Sequence, residues 1–345
     1  MQYKKLYLED LSKAFDTIPN YEIINGSNIL VTGATGLIGS AIVDMLILAN
    51  DIKNLNNKVY AGARNQEKFK SRYKKLMNRK DLLYLKYDAT NDINSEIGFD
   101  YIIHAASPAS PNLYSTRPVE TMLANFIGLA NILKYAKTYN SKRVCYISSS
   151  EVYGKKEEVS AYAEEDYAFF DILNPRACYP SSKRAAETLM AAYYKEYGVY
   201  GVIVRPAYIF GPTLTEKDTR ASSAFFTDVL DGRNIIMKSE GLQIRSYCYV
   251  IDAAAAILTA MINGSPSQAY NIGNPNAIAS IIDLAKEIAY QAGREINFEI
   301  PTDEEKKSYN MMDNSILDSR KLTNLGWRPL FDLKTGVKHT LDILE

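Results

Sequence analysis

Tyr179 and Lys183 stand four positions apart in a stretch of helical composition, which puts a phenol and an ammonium on one face, a turn apart. A phenol with an ordinary pKa of about 10 is a poor base at neutral pH, and a neighbouring ammonium favours the phenolate that can take a proton from a hydroxyl. The spacing alone decides little in a chain with 26 tyrosines, where Tyr194 or Tyr197 are equally eligible as surface residues. A second group sharpens it. Ile147-Ser148-Ser149-Ser150-Glu151-Val152-Tyr153-Gly154 follows a short apolar run, and the carboxyl end of a parallel strand is where an open α/β sheet keeps its ligand crevice. The Ser149 hydroxyl can share the hydrogen bond to a reacting oxygen, and Glu151 is a candidate base. The plainer readings are that strand-end serines satisfy backbone groups and that the carboxylate anchors a loop.

A third group lies near the start. Asn28 to Thr32 runs directly into Gly33-Ala-Thr35-Gly36-Leu37-Ile38-Gly39 and then a helix. Glycines so placed let the chain turn tightly and let backbone N–H groups approach a pyrophosphate at the helix N-terminus, so this segment is expected to bind a dinucleotide. An NAD site ends its second strand with an acid that accepts from the ribose hydroxyls. This chain has Ala61-Gly62-Ala63-Arg64 instead, and a guanidinium there pairs with a 2′-phosphate or stacks on adenine, which favours NADP over NAD. Asp88, after the third apolar run, either accepts from the adenine amine or caps its loop. Cys145, Cys178 and Cys248 form no CxxC or Cys/His cluster, so neither a disulfide framework nor a metal site is expected. His104 reads as a strand-end residue and His339 as a helix-surface residue, neither with the neighbours of a ligand or base.

The elements that must position these groups alternate. Apolar runs at 29–31, 58–61, 82–85, 101–103, 143–147 and 202–204 suit strands buried on both faces, and 37–49, 65–78, 117–139 and 179–197 have helical composition. The fold class is therefore α/β: a Rossmann-like, doubly wound parallel sheet with a smaller C-terminal substrate-binding lobe. Residues 1–25 read as an N-terminal helical extension and 26–205 as the dinucleotide-binding domain, with a returning segment at about 244–273. Residues 206–243 and 274–345 read as the smaller lobe, which starts where Pro206, Gly211 and Pro212 break the rhythm.

In 345 residues, 40 Lys plus Arg balance 40 Asp plus Glu, which leaves no electrostatic footprint for nucleic acid or an anionic membrane and points to a small partner. The basic stretch 64–80 reads as a solvated helix face. No segment approaches the roughly 20 apolar residues of a bilayer span, and MQYKKLYLEDLSKAF lacks the continuous apolar core of a secretory signal, so a cytoplasmic protein is expected.

Taken together, these strings resemble the extended short-chain dehydrogenases/reductases, specifically the NAD-dependent epimerase/dehydratase family of nucleotide-sugar enzymes. The resemblance covers nearly the whole chain. It is closest to the UDP-glucuronate decarboxylase branch, through His104-Ala-Ala-Ser-Pro-Ala-Ser-Pro111, Ser150-Glu-Val-Tyr-Gly154 and Pro175-Arg-Ala-Cys-Tyr179 with Lys183-Arg184. Further marks are Arg205-Pro-Ala-Tyr-Ile-Phe-Gly-Pro212, Arg220, Gln243-Ile-Arg245-Ser-Tyr-Cys-Tyr-Val250 with Asp252, and Leu325-Gly-Trp-Arg-Pro329.

The resemblance implies that Tyr179 removes the proton of a sugar C4 hydroxyl while tightly bound NAD(P)+ takes the C4 hydride. The resulting ketone acidifies C5 for epimerisation or dehydration, and makes a C6 carboxylate a β-keto acid that loses carbon dioxide. Ala89, Ala105, Ala106, Ser107 and Pro206 are then expected beside the cofactor with Tyr179 and Lys183, and Ser107, Ser150, Tyr208, Arg220 and Arg245 around a UDP-sugar, the arginines on its diphosphate. A homodimer joined through helices at about 117–139 and 179–197 is implied as well. The family's 4,6-dehydratases carry Asp-Glu where this chain has Ser150-Glu151, which favours decarboxylation or epimerisation. Arg64, the Pro180-Ser181-Ser182 trio and Tyr208, where the relatives have Asn, depart from the decarboxylase pattern. An NADP-dependent 4-keto-sugar reductase fits Arg64, and a non-catalytic dinucleotide sensor fits the fold alone.

Overall fold

The computed structural model describes residues 3–108, 110–156, 161–215, 218–302 and 312–345; Ala109, within the His104–Pro111 run, lies outside them. Strands β1 (Asn28–Thr32), β2 (Lys58–Ala63), β3 (Leu82–Lys86), β4 (Tyr101–His104), β5 (Arg143–Ile147) and β6 (Gly201–Pro206) come first in the chain. The chain then leaves through β7 (Tyr208–Phe210), β8 (Ile235–Met237) and β9 (Ile244–Tyr249), and returns as β10 (Ala269–Ile272). The large sheet runs in the order β3-β2-β1-β4-β5-β6-β10, every pair parallel. All of β4 and β6, and all but the first residue of β1 and β5, are buried, which is why these segments are continuous apolar runs rather than alternating ones.

The sheet order reverses between β1 and β4. There Thr32 sits opposite His104 in the register, and Thr32 Oγ1 lies 2.9 Å from His104 Nδ1. Such a switch point is where the ends of neighbouring strands open a crevice. Around the sheet pack α1 (Lys5–Phe15), α2 (Leu37–Lys53), α3 (Gln66–Arg72), the short α4 (Pro111–Thr116), and the long α5 (Pro118–Thr138) and α6 (Cys178–Tyr197). The sequence predicts a helix over 65–78, but α3 ends at Arg72. Tyr73 leaves helical geometry, and its buried phenol donates to the carbonyl of Ala34 in the glycine-rich turn.

The smaller lobe contains α7 (Ala221–Leu230), α9 (Ile281–Ala292) and the C-terminal helix Leu333–Leu344, while α8 (Val250–Asn263) lies against α2. Its strands are β7 and β9 with β11 (Ile278–Ser280) and β13 (Asn314–Ser315), and β8 with β12 (Ile296–Phe298). Helix α1 touches both parts. Tyr3 and Tyr7 donate to Asp44 of α2 at 2.8 and 2.7 Å, and Arg72 pairs with the same carboxylate. Asp10 accepts from Tyr249 and lies 2.8 Å from His339 Nδ1. His339 is thus not a surface residue as the sequence suggests: it is largely covered at the α1 junction, because Asp10 is fully buried and draws it in.

Candidate active site

The glycine-rich turn is close-packed against the β4 end. A Cβ on Gly33, whose φ is +66°, would lie 2.7 Å from the Ala105 carbonyl oxygen, and one on Gly39 would lie 2.3 Å from the Gly33 oxygen. Only glycine permits this approach of loop, strand end and helix. Gly36 takes the N-cap position of α2 without a side-chain cap, no acid occupies the first turn, and the helix therefore presents its positive end to the crevice. Thr35, Leu37, Ile38, Ala105 and Ala106 surround that end, and Ala106 N–H donates to Thr32 Oγ1 at 3.2 Å. This cradle, which a Cβ would fill, fits a dinucleotide phosphate. Arg64 is exposed just after β2, with no partner among the described residues. Asp88 performs the loop-capping role, its Oδ1 accepting from Thr90 N and Oγ1 at 3.1 and 2.9 Å, with Ala89 next to it under Gly128.

Ser149 follows β5 and caps a single tight turn, accepting from Glu151 N at 3.2 Å. Asn174 caps the turn that leads into α6, so Tyr179 falls in the first turn of that helix and Lys183 one turn further. One cleft gathers Ile38, Ala105, Ser107, Ser149, Ser150, Glu151, Tyr179, Lys183, Pro206, Tyr208 and Arg220. It therefore reaches from the N-terminal turn of α2 to the smaller lobe. Ser107 is held from behind: its hydroxyl donates to Asn125 on α5 at 2.7 Å, Asn125 donates to Ser182 at 3.0 Å, and Ser182 donates to the Tyr179 carbonyl at 2.9 Å.

Burial pushes the Tyr179 phenol up to about 12, with Glu151 adding to the rise, while hydrogen bonds from Ser149 and Tyr114 and the Arg220 charge oppose it. Lys183 is fully buried and donates to the Ile147 carbonyl at 2.7 Å, and its ammonium lies 5.6 Å from the centre of the Tyr179 ring. Burial lowers its pKa to about 7, and Glu187, one turn along α6, pulls the other way. His104 is held neutral, its pKa pressed down to about 3 by burial and by Lys183.

Glu151 is not a free carboxylate. Arg176 grips it through two nitrogens at 3.0 and 3.2 Å, a bidentate pair that orients the group toward the cleft. Arg220 is likewise held, by Asp218, and keeps Nη1 on the Ile209 carbonyl. Arg245 is buried beside Tyr208, 5.0 Å from that ring centre, bonded to the Ile244 carbonyl, and its Nε has no partner among the described residues. Tyr114 and Arg176 belong to this site and were not singled out from the sequence as site residues. Tyr114 is one tyrosine of 26 with no spacing to mark it, and Arg176 stands out only once Glu151 is seen to need a counter-charge. No group of three or more His, Cys, Asp or Glu among the described residues is arranged to hold a metal ion.

A parallel sheet with a glycine-rich switch point, and a Tyr/Lys pair at its carboxyl edge, define an enzyme of the short-chain dehydrogenase/reductase type. The profile of the NAD dependent epimerase/dehydratase family matches residues 29–273, and the chain belongs to that family. Among curated relatives it is 32% identical over 318 residues to UDP-glucuronic acid decarboxylase 1 of Xenopus tropicalis, covering 91% of this chain and 71% of that protein. It is 32% identical over 313 residues to UDP-glucuronic acid decarboxylase 5 of Arabidopsis thaliana, covering 90% and 86%. Among solved structures, the UDP-glucose 4-epimerase of Thermotoga maritima with UDP-glucose superposes with a TM-score of 0.77 at 25% identity, covering 92% of this chain and 98% of that one. The UDP-glucuronic acid 4-epimerase of Bacillus cereus, bound to UDP-glucuronic acid and NAD, shares the fold with a TM-score of 0.76 at 21% identity and coverages of 92% and 98%.

Proposed function

We propose that the enzyme oxidises the C4 hydroxyl of a UDP-linked sugar and then decarboxylates or epimerises the ketone, most like a UDP-glucuronate decarboxylase or 4-epimerase. The observation that carries this reading is the convergence of Ser149, Glu151, Tyr179 and Arg220 on one cleft that also reaches the α2 N-terminal turn. Tyr179 takes the C4 proton, Ser149 shares the hydrogen bond to that oxygen, and Lys183 orients the nicotinamide ribose. Bound NAD(P) supplies the hydride acceptor and donor that interconvert alcohol and ketone. Arg220 binds the diphosphate, and the unpartnered N–H of Arg245 supports a phosphate role for that residue too. Decarboxylation of the β-keto acid needs no further base, and inversion at C4 needs only the hydride returned to the other face of the ketone, whereas epimerisation at C5 would draw on Glu151. In this reading the lobe of residues 26–205, which β10 of the returning segment joins, carries the cofactor, and the lobe built on β7, β9, β11 and β13 carries the sugar nucleotide. Mass spectrometry of the products from a panel of UDP, dTDP, CDP and GDP sugars is the test, and no conversion of any UDP-sugar would refute the reading.

Arg64 supports NADP over NAD, and with it the second reading, a reductase of a 4-keto sugar. It is an exposed cation just after β2, with no partner among the described residues, where a 2′-phosphate would sit. Protein purified and then denatured is expected to release NADP(H), and Arg64→Asp to shift preference toward NAD on the order of tenfold or more. Release of NAD(H), with an Asp variant that behaves as wild type, would leave Arg64 a cover for adenine.

A homodimer is part of the same proposal. Val119, Met122, Leu123 and Phe126 are exposed along the first half of α5, Val119 at 64%, and Tyr194 and Tyr197 near the end of α6. Pairing α5 and α6 with a second copy would bury this apolar face. Light scattering at micromolar protein should give twice the chain mass, and a strict monomer would count against it. Among the described residues no helix is long and apolar enough to cross a membrane, and three buried free cysteines support the cytoplasm as the setting.

A further inference from the structure

Two residues at the end of α3 reach the glycine-rich turn from behind. Tyr73 is fully buried, and its phenol donates to the carbonyl of Ala34, between Gly33 and Gly36. Burial holds that phenol well above the usual range, so it serves as a donor only. The rest of the turn is pinned as well: Ala34 N–H donates to the Gly62 carbonyl of β2 at 3.2 Å, and Gly36 N–H to the Gly33 carbonyl at 2.9 Å. Thr35 N–H makes no hydrogen bond among the described residues. The Ala34–Thr35 peptide is trans, and a planar trans peptide sends its N–H opposite to its carbonyl. With the Ala34 carbonyl turned toward Tyr73, the Thr35 N–H is turned away from it, just ahead of the first amides of α2.

Tyr73 is itself held in place. The guanidinium carbon of its neighbour Arg72 lies 5.0 Å from the centre of the Tyr73 ring, and Arg72 pairs with Asp44, two turns into α2. Tyr3 and Tyr7 of α1 donate to the same carboxylate, and Arg72 Nη1 donates to the Tyr3 hydroxyl at 3.1 Å. A network therefore runs from α1 through Asp44 and Arg72 to Tyr73 and ends on the backbone of the turn. None of these side chains lines the cleft of Tyr179.

We propose that Tyr73, backed by Arg72 and Asp44, is a positioning residue for the dinucleotide: by fixing the Ala34 carbonyl it presents the Thr35 N–H to a phosphate of the cofactor, and so sets how tightly the cofactor is held. The proposal rests on the reading of this turn as the cofactor's seat. A peptide free to rotate must be ordered each time a phosphate binds, and fixing it beforehand removes that cost. Without the Tyr73 hydroxyl, the buried Ala34 carbonyl is left unsatisfied. The peptide then gains by rotating toward water, and the Thr35 N–H rotates with it.

The test times the release of the cofactor. Protein loaded with NADH, and in parallel with NADPH, is mixed with excess ADP-ribose, and the loss of bound nicotinamide fluorescence gives the release rate. Tyr73→Phe keeps the ring and is expected to release the dinucleotide about three- to tenfold faster, the range for one neutral hydrogen bond. The dissociation constant for UDP, read by calorimetry on the same loaded protein, should stay unchanged, which a general loosening of the structure would not allow. Should the Phe variant fail to accumulate, Arg72→Lys, at the partly exposed end of the network, is expected to speed release in the same direction with UDP binding again unmoved. An unchanged release rate overturns this proposal alone, and so does a release rate that moves only together with UDP affinity. A wild-type protein that retains neither dinucleotide overturns the reading of the turn as the cofactor's seat, and this proposal with it.

Discussion

Replacing Tyr179 by Phe is expected to lower turnover by on the order of 10³-fold while the dissociation constant for the nucleotide sugar stays nearly unchanged. The ring remains stacked on Tyr114 at 4.4 Å and stays buried, so the cleft keeps its shape. What disappears is the oxygen that would accept the proton, in a cleft it shares with Ser149 and Tyr114. Turnover by product analysis and binding by calorimetry on the same preparation separate the two effects. A Phe variant with full turnover would remove Tyr179 from the chemistry altogether.

The second large effect is on stability. Arg205 of β6 is 2% exposed in its side chain and is held by Glu187 of α6 through two contacts of 2.6 and 3.0 Å, with further bonds to the Tyr153 hydroxyl at 2.9 Å and the Glu164 carbonyl at 2.8 Å. Glu187→Ala leaves that guanidinium buried with its counter-charge gone, and removal of one partner of a buried pair costs about 3–5 kcal/mol. The urea midpoint should fall accordingly, with an unchanged slope if the native state stays compact. The effect reaches the site, because Glu187 also steadies the Lys183 ammonium and accepts from Ser148 at 2.5 Å. Cofactor retention is therefore expected to weaken in the same variant. A loss below about 1 kcal/mol would mean that water reaches Arg205 and replaces the carboxylate.

The features legible in the sequence are those written in short-range spacing. The strand that runs into Gly33, Gly36 and Gly39 needs only neighbouring residues to define its turn, and a helix that carries Tyr179 and Lys183 four apart needs only its own periodicity. The doubly wound sheet follows from the rhythm of apolar runs, as observed in β1 to β6. Less legible are relations made by folding. Tyr114 comes from 65 positions upstream of Tyr179, and nothing near it in the chain announces a ring stacked on that phenol. Glu151 and Arg220 read as available charges until their partners Arg176 and Asp218 are seen in space. Arg245 reads as a charge for the diphosphate, and its contact with the Tyr208 ring is made only in the fold. Side-chain direction across a lobe boundary has no local signature.

The helix before the family match, α1, has a mechanical meaning. One of its faces is bonded to Asp44 in the first crossover helix, and its Asp10 is bonded to Tyr249 of the small lobe's sheet and to His339 of the last helix. A strut fixed at both ends in this way resists a clamshell motion, because spreading the two walls would pull Asp10 or Asp44, both buried, away from their partners. For the proposed reaction, entry and exit of the nucleotide sugar would then fall to small movements of the rim. An enzyme that returns its hydride to the same sugar can work with such a closed frame, whereas one that must exchange its cofactor at every cycle would be slowed by it.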